Sequence, residues 1–346
     1  MSSSIAPDPR VSSVVYPYQP FHTPQYVVII DCLLLATIII TGIFGNLLIF
    51  ITILTDKRLL NQSNMLVMNI AFADILVMAF ILPVVIGNVI TNGSVLGQAA
   101  CTFASCVVVV TCAVSIVSMA SISINRYIFI CRHHIYNTYF SRKNTVWLIV
   151  TMWTFWILVV GVTAIWQPHY YNPDSWICIF DHQTNLFFTA FLMGFGIGVP
   201  AVITFVCYYK IWCKVADSQR AMRQHTQVAT IGKSPTPTAA DTKKQARKRR
   251  ENRATAALFV AFMCFLVFWG PYGVAAVIYY FQRLPQYTIK YLSWLGMSNS
   301  CVNSIVYGAM NKNFRDGYVR ILSCGRKRSV LNGNVVGAQS ASNTDA

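Results

Sequence analysis

Seven apolar stretches dominate this chain, near residues 26–54, 64–91, 101–130, 146–166, 186–211, 254–281 and 289–310. Each is long enough to cross a hydrocarbon core of ~30 Å, which takes about 20 helical residues. A backbone in lipid must satisfy its own hydrogen bonds, so the pattern predicts an all-α bundle of seven transmembrane helices. Composition agrees: 55% of the 346 residues are hydrophobic and 11% are charged, where soluble domains carry about a quarter charged.

The net charge of +16 would also suit a nucleic-acid binder, so the position of the charges decides. Of the 27 Lys and Arg, Arg10, Arg283 and Lys290 fall on one side of the predicted membrane, and the other 24 fall at its opposite face. Positive charge marks the cytoplasmic side, so the N-terminus is expected outside and the C-terminus inside. The basic run "KKQARKRR" then reads as juxtamembrane charge beside anionic lipid, and no nucleic-acid partner is expected.

The chain divides into an outer tail (1–25), the membrane domain (26–310), an amphipathic helix (311–324) and a disordered cytoplasmic tail (325–346). The first 25 residues show no cleavable signal, so the first span is read as the insertion signal. The long basic third inner loop, 212–253, opens on a Ser/Pro/Thr-rich segment read as disordered. Its basic end is expected to extend the sixth span as helix. In "NKNFRDGYVRILSC", Phe314 and Tyr318 are expected to face lipid, with Cys324 a candidate for palmitoylation.

Most of the 11 cysteines lie within apolar spans. Cys101 and Cys178 fall at outer positions, in an oxidising compartment, and are expected to pair. They would tie the third span to the loop between spans four and five. Asn92 in "NGS" is a candidate for glycosylation in the first outer loop.

Polar residues inside a membrane are costly, so each points to a function. At 1.5 Å per residue, Asp74 lies about 15 Å from the inner end of its span, near the midplane. Asn46 and Ser115 reach a similar depth, and Asn299, Ser300 and Asn303 lie roughly 14–20 Å above Lys312. A carboxylate with hydroxyl and amide oxygens at one level could hold Na⁺. The same groups would equally form a hydrogen-bonded knot that packs helices.

Pro83, Pro200 and Pro271 interrupt spans two, five and six, and Trp269 stands beside the third of these. Arg126, in "SINRY", follows Cys101 by about 37 Å of helix and so reaches the inner mouth of the bundle. It is read as a switch, with Glu251, Tyr208 and Tyr307 as candidate partners. The chain shows no metal-ligand spacing, nucleophile elbow or phosphate loop, and no enzyme is expected. Adjacent His133 and His134 would point about 100° apart on a helix, which makes a poor metal pair.

"GNLLIF", "NIAFADILV", the Cys101–Cys178 pair, "NRY", Trp153, Pro200, "FWGP" and "NSIVY" occur in the order of the rhodopsin-like G-protein-coupled receptors. The resemblance covers about 30–320. Within that family the chain is similar to the melatonin receptors. They too carry Asn in place of Asp where Asn125 stands, just before Arg126 and Tyr127, and they too lack the proline replaced by Ser304. "YNPDSWIC" and "NSCVNSIVYGAMNKNFRDGY" are similar as well.

The resemblance implies a plasma-membrane receptor that binds a small molecule and activates a heterotrimeric G protein of the inhibitory class. Arrestin and receptor kinases are implied as further partners. The pocket departs from the melatonin pattern. Phe180 matches a stacking Phe, but His182 replaces a Gln, Thr163 an Asn, Gly196 a His and Ser293 a Tyr. Val108 stands where amine receptors carry an acid, and Met297 where opsins carry lysine. The remaining pocket, with Val107, Val108, Thr111, Phe180 and Trp269, suits a neutral or lipid-like ligand.

Overall fold

Eight longer helices, a short helical segment at His133–Tyr139 and one hairpin follow in a computed structural model that describes residues 23–166, 168–180, 186–231, 239–281, 284–285 and 287–323. His182, Cys324, the tail beyond it and the Ser/Pro/Thr segment at 232–238 lie outside the described residues. The helices are α1 (Gln25–Thr55), α2 (Gln62–Thr91), α3 (Gln98–Cys131) and α4 (Arg142–Trp166). Next come α5, built from Leu186–Phe191, Leu192–Gly198 and Val199–Ile231, then α6 (Ala239–Phe281), α7 (Thr288–Met310) and α8 (Lys312–Leu322).

The helices run past the predicted spans. The basic run continues α6 as helix, and α5 extends inward to Ile231. Two of the three prolines act through the turn that precedes them. A π-helical turn at Val77–Ile81 leads to Pro83, and another at Leu192–Gly198 leads to Pro200. Proline lacks an N–H and crowds the preceding turn, which a wider π turn relieves. Pro271 lies inside α6, whose helix continues through it.

Among the described residues, six helices are apolar enough to cross a bilayer by composition alone. The seventh, α7, spends its inner face on Ser293, Asn299, Ser300, Asn303 and Ser304, all buried. α3 is the central helix: 61% of its apolar window is buried within the protein, against 17% for α4. Large apolar side chains such as Ile40, Phe103, Trp147 and Trp212 point outward. A surface of that kind is covered by lipid.

β1 (His169–Asn172) and β2 (Ile177–Phe180) pair antiparallel between α4 and α5. The Asn88 Nδ2 donates to the Trp176 carbonyl at 2.9 Å, and Gln98 Nε2 to the His169 carbonyl at 2.6 Å. His169 Nδ1 and the Ser105 hydroxyl lie 2.9 Å apart. Burial holds the His169 imidazole below its usual pKa.

α8 corrects the expectation that Phe314 and Tyr318 face lipid. Phe314 is buried against Tyr307 (centroids 5.4 Å apart), and the half-buried Tyr318 donates to the Ser304 carbonyl at 3.3 Å. The amphipathic face is spent on the bundle because α8 turns back under α1 and α7. Asp56, just after α1, clamps this corner. It accepts from Arg58 Nε at 3.0 Å and Nη2 at 2.8 Å, with Arg320 at 3.8 Å. The Arg58 hydrogen bond holds the Asp56 carboxyl below the usual carboxylate range.

Candidate functional site

The Cys101–Cys178 disulfide forms, with the Cα atoms 5.3 Å apart, and anchors β2 to the first turn of α3. A cavity lies further along α3, beginning at Val108. Val108, Thr111, Trp269 and Met297 line its upper part; Asp74, Ser115, Asn299, Ser300 and Asn303 line its lower part. Its volume open to water-sized molecules is about 40 Å³. The candidate pocket floor and the candidate ion site are therefore one continuous space, which their separate spacing in the sequence did not suggest.

Asp74 is buried, and both of its oxygens are engaged from α7. Ser300 Oγ donates to Oδ1 at 2.7 Å and Asn303 Nδ2 to Oδ2 at 3.0 Å. Asn46 Nδ2 donates to the Ser300 carbonyl at 3.0 Å, which ties α1 to the same turn. The amide oxygens of Asn46, Asn299 and Asn303 are buried without a hydrogen-bond partner among the described residues. Unsatisfied acceptors near a carboxylate are a donor set a cation would complete.

Several pocket candidates lie apart from this cavity. Phe180 packs with Trp156, Phe188 and Leu192. Gly196 is buried against Trp156, whose ring would be 3.1 Å from an added Cβ. The indole thus fills the space that a side chain at 196 would use. Thr163 Oγ1 bonds back to the Val159 carbonyl and Ser293 Oγ to the Lys290 carbonyl, so both hydroxyls are spent within their own helices. Val107 packs in the outer core beside the hairpin. Asn92, the sequon residue, caps α2 in a left-handed conformation (φ 52°) and accepts from Thr23 Oγ1 at 3.2 Å.

Gly296 sits against Trp269. A Cβ there would lie 2.7 Å from the indole ring, closer than packing permits. Gly296→Ala is expected to displace Trp269 and cost about 1–3 kcal/mol by overpacking. A lowered thermal midpoint of the purified protein would show it; an unchanged midpoint would mean the indole moves freely.

At the inner mouth, Asn125 is buried and its amide is engaged by neighbours other than Arg126. Its Oδ1 accepts from Ser63 Oγ, and its Nδ2 donates to the Tyr136 hydroxyl at 3.4 Å. Tyr136 in turn donates to Gln62 Oε1 at 3.3 Å. Arg126 Nε is buried without a hydrogen-bond partner among the described residues. The ionisable side chains around its guanidinium are Tyr208, Tyr136 and Glu251. Glu251 does not close a lock on Arg126: its carboxylate takes Arg247 Nε at 3.0 Å, one turn back on α6, where the pair costs the least ordering. Tyr208 stacks near Phe259 and Tyr307 near Phe314, both in the inner core. Tyr127 lies under Lys210 Nζ at 5.6 Å.

Two polar clusters escaped the sequence reading. Asn69 joins three helices, donating to Ser118 Oγ at 2.9 Å and accepting from Trp153 Nε1 at 2.8 Å. Lys290, counted in the sequence as an outer loop charge, is fully buried and bonds Asp31 Oδ2 at 2.6 Å. Tyr291 donates to Asp31 Oδ1 at 3.1 Å. The ammonium also faces the rings of Tyr287 (4.2 Å), Tyr291 (4.4 Å) and Trp294 (5.2 Å). An acid in the first span and a base at the outer start of the seventh were the available signal.

Comparison with known proteins matches residues 45–307 to the family described as 7 transmembrane receptor (rhodopsin family). The chain belongs to that family. This receptor is 27% identical over 290 residues to melatonin receptor type 1A of Phodopus sungorus, covering 82% of its own length and 77% of the relative's. It is 28% identical over 305 residues to melatonin receptor type 1A-A of Danio rerio, covering 86% and 82%. The crystal structure of squid rhodopsin shares its fold, with a TM-score of 0.75, 21% identity and coverage of 92% and 93%. The receptor is therefore a multi-pass membrane protein of the melatonin-receptor-like branch, and not an enzyme.

Proposed function

We propose that this receptor sits in the plasma membrane with its N-terminus outside, binds a neutral or lipid-like small molecule, and activates a heterotrimeric G protein of the inhibitory class. The observation that carries this reading is the single cavity running from Trp269 to Asp74. A ligand above Trp269 can shift the polar layer below it without any further relay, and that layer joins α2 to α7. A ligand acts only through its different affinity for two states, and the α6–α7 contact at Trp269 and Gly296 is where two packings would differ.

Melatonin, named in the relatives, keeps only the Phe180 contact among the expected polar and stacking anchors, so a different ligand of the same branch is the favoured reading. Arrestin and receptor kinases are proposed as later partners of the inner loops and tail. The direct test is nucleotide exchange on an inhibitory G protein by the reconstituted receptor, screened with indoles and neutral lipids. Exchange above the receptor-free baseline is expected. No basal or ligand-evoked exchange from well-folded receptor would sink the proposal.

We further propose that Asp74, Ser115 and Ser300, with the unpaired amide oxygens of Asn299 and Asn303, hold Na⁺ in the resting state. Bound Na⁺ would neutralise the carboxylate and hold α2, α3 and α7 together. Replacing choline chloride by sodium chloride is expected to raise the thermal midpoint by a few degrees, the size of ligand-linked stabilisation at many times Kd. Asp74→Asn should abolish that difference between the salts. An equal sodium effect in the variant would place the ion elsewhere.

A further inference from the structure

A second groove opens sideways near the inner end of the bundle, between α3, the loop after it and the start of α4. Ile124 and Ile128 form one wall, Leu148 the other, and Phe140 and Tyr139 close the end. Its volume open to water-sized molecules is about 260 Å³. The polar residues along it turn their groups inward. Asn144 Nδ2 bonds the Thr138 and Tyr139 carbonyls, and Thr145 Oγ1 bonds the Ser141 carbonyl at 2.9 Å. What the groove presents is therefore apolar.

Two cations directly precede its lining residues Asn144 and Thr145 along the chain. Arg142 and Lys143 begin α4, are exposed, and make no ion pair among the described residues. No aspartate or glutamate occurs between Asp74 and Asp174, so this stretch supplies no internal counter-ion. Three of the inner acids are engaged elsewhere: Asp56 by Arg58, Asp217 by Arg220 and Glu251 by Arg247. An apolar slot at the membrane edge below two unpaired cations fits one class of occupant. We infer that the groove is a site for an anionic phospholipid, with an acyl chain between Ile128 and Leu148 and the headgroup at Arg142 and Lys143.

Occupancy would reach the arginine switch in one step. Phe140 stacks on Tyr136 (5.8 Å), and the Tyr136 hydroxyl accepts from Asn125. A chain packed on Phe140 would hold the loop that carries Tyr136. The inference rests on the inner end facing the anionic leaflet, but its test does not, because nanodiscs offer both leaflets.

The test uses full-length receptor in phosphatidylcholine nanodiscs with a trace of photoactivatable phospholipid, the crosslinker on the acyl chain. Phosphatidylserine and phosphatidylcholine probes with the same chains are compared, and labelled peptides are mapped. The serine probe is expected to label residues 124–148 about thirtyfold more than the choline probe, the effect of two cations at ~1 kcal/mol each near a surface. Arg142→Gln with Lys143→Gln should bring the two probes level. Ile128→Trp should reduce labelling by both, with the thermal midpoint confirming a folded protein. Equal labelling by the two probes in the wild type, or undiminished labelling of a folded Ile128→Trp, would overturn the site.

Discussion

Asp31→Asn is expected to destabilise the receptor by on the order of 3–5 kcal/mol, the cost of removing one partner from a buried ion pair. Lys290 is 0% exposed and Asp31 1%, so neither charge has water to fall back on. The amide in the variant could still accept from Tyr291, but the ammonium would keep only the faces of Tyr287, Tyr291 and Trp294. Cation–π contacts are worth roughly 0.5–2 kcal/mol, too little to replace a buried counter-ion. Lys290→Met should cost a similar amount, since it strands the carboxylate.

The double variant Asp31→Leu with Lys290→Met should recover most of the loss, because an apolar pair of like volume packs without desolvating a charge. Thermal unfolding of the four purified proteins closes the cycle. If the double variant loses the sum of the two single losses, the pair is not what holds the outer ends of α1 and α7 together.

The second large effect is at Arg126. Arg126→Ala is expected to cut nucleotide exchange on the G protein to below about a tenth of wild type, within the 5–150-fold range usual for allosteric coupling. Its thermal midpoint should hold steady or rise, because the Nε is buried and unpaired and its removal relieves a desolvated charge. A loss of exchange with a falling midpoint would instead mean that Arg126 is structural.

Asn125→Asp sharpens the same point. The amide is engaged by Ser63 and Tyr136, so an aspartate can still accept from Ser63, and the Tyr136 hydroxyl can turn to donate to it. That turn gives up the bond to Gln62 and places a negative charge beside Arg126. Basal exchange is then expected to fall roughly fivefold, again at the low end of allosteric coupling. Unchanged basal exchange would mean that the charge next to Arg126 does not set the resting state.

The patterns that were legible in the sequence are those carried by a single helix. Apolar length placed all seven spans, because a lipid-crossing backbone leaves helix as its outlet. Depth along one helix at 1.5 Å per residue put Asp74, Ser300 and Asn303 at one level, and Ser300 and Asn303 both donate to Asp74. The two outer cysteines were legible because few thiols lie outside the spans.

What needed the tertiary structure is rotation about each helix axis and the direction in which each polar group is spent. Depth is a matter of counting, but facing depends on how two helices cross. Glu251 lies near Arg126, yet Arg247 lies one turn from Glu251 and claims it first. Ser293 and Thr163 lie in predicted pocket positions but bond their own helices. Phe314 has the spacing of a lipid-facing residue, and only the turn after Met310 brings it under Tyr307. Lys290 reads as a loop charge until α1 and α7 meet and remove it from water with Asp31. The number of spans and the position of each polar group along its own helix follow from counting residues within one segment. Which groups meet was decided by the packing of the bundle, since a hydrogen bond or ion pair forms only where geometry delivers both partners.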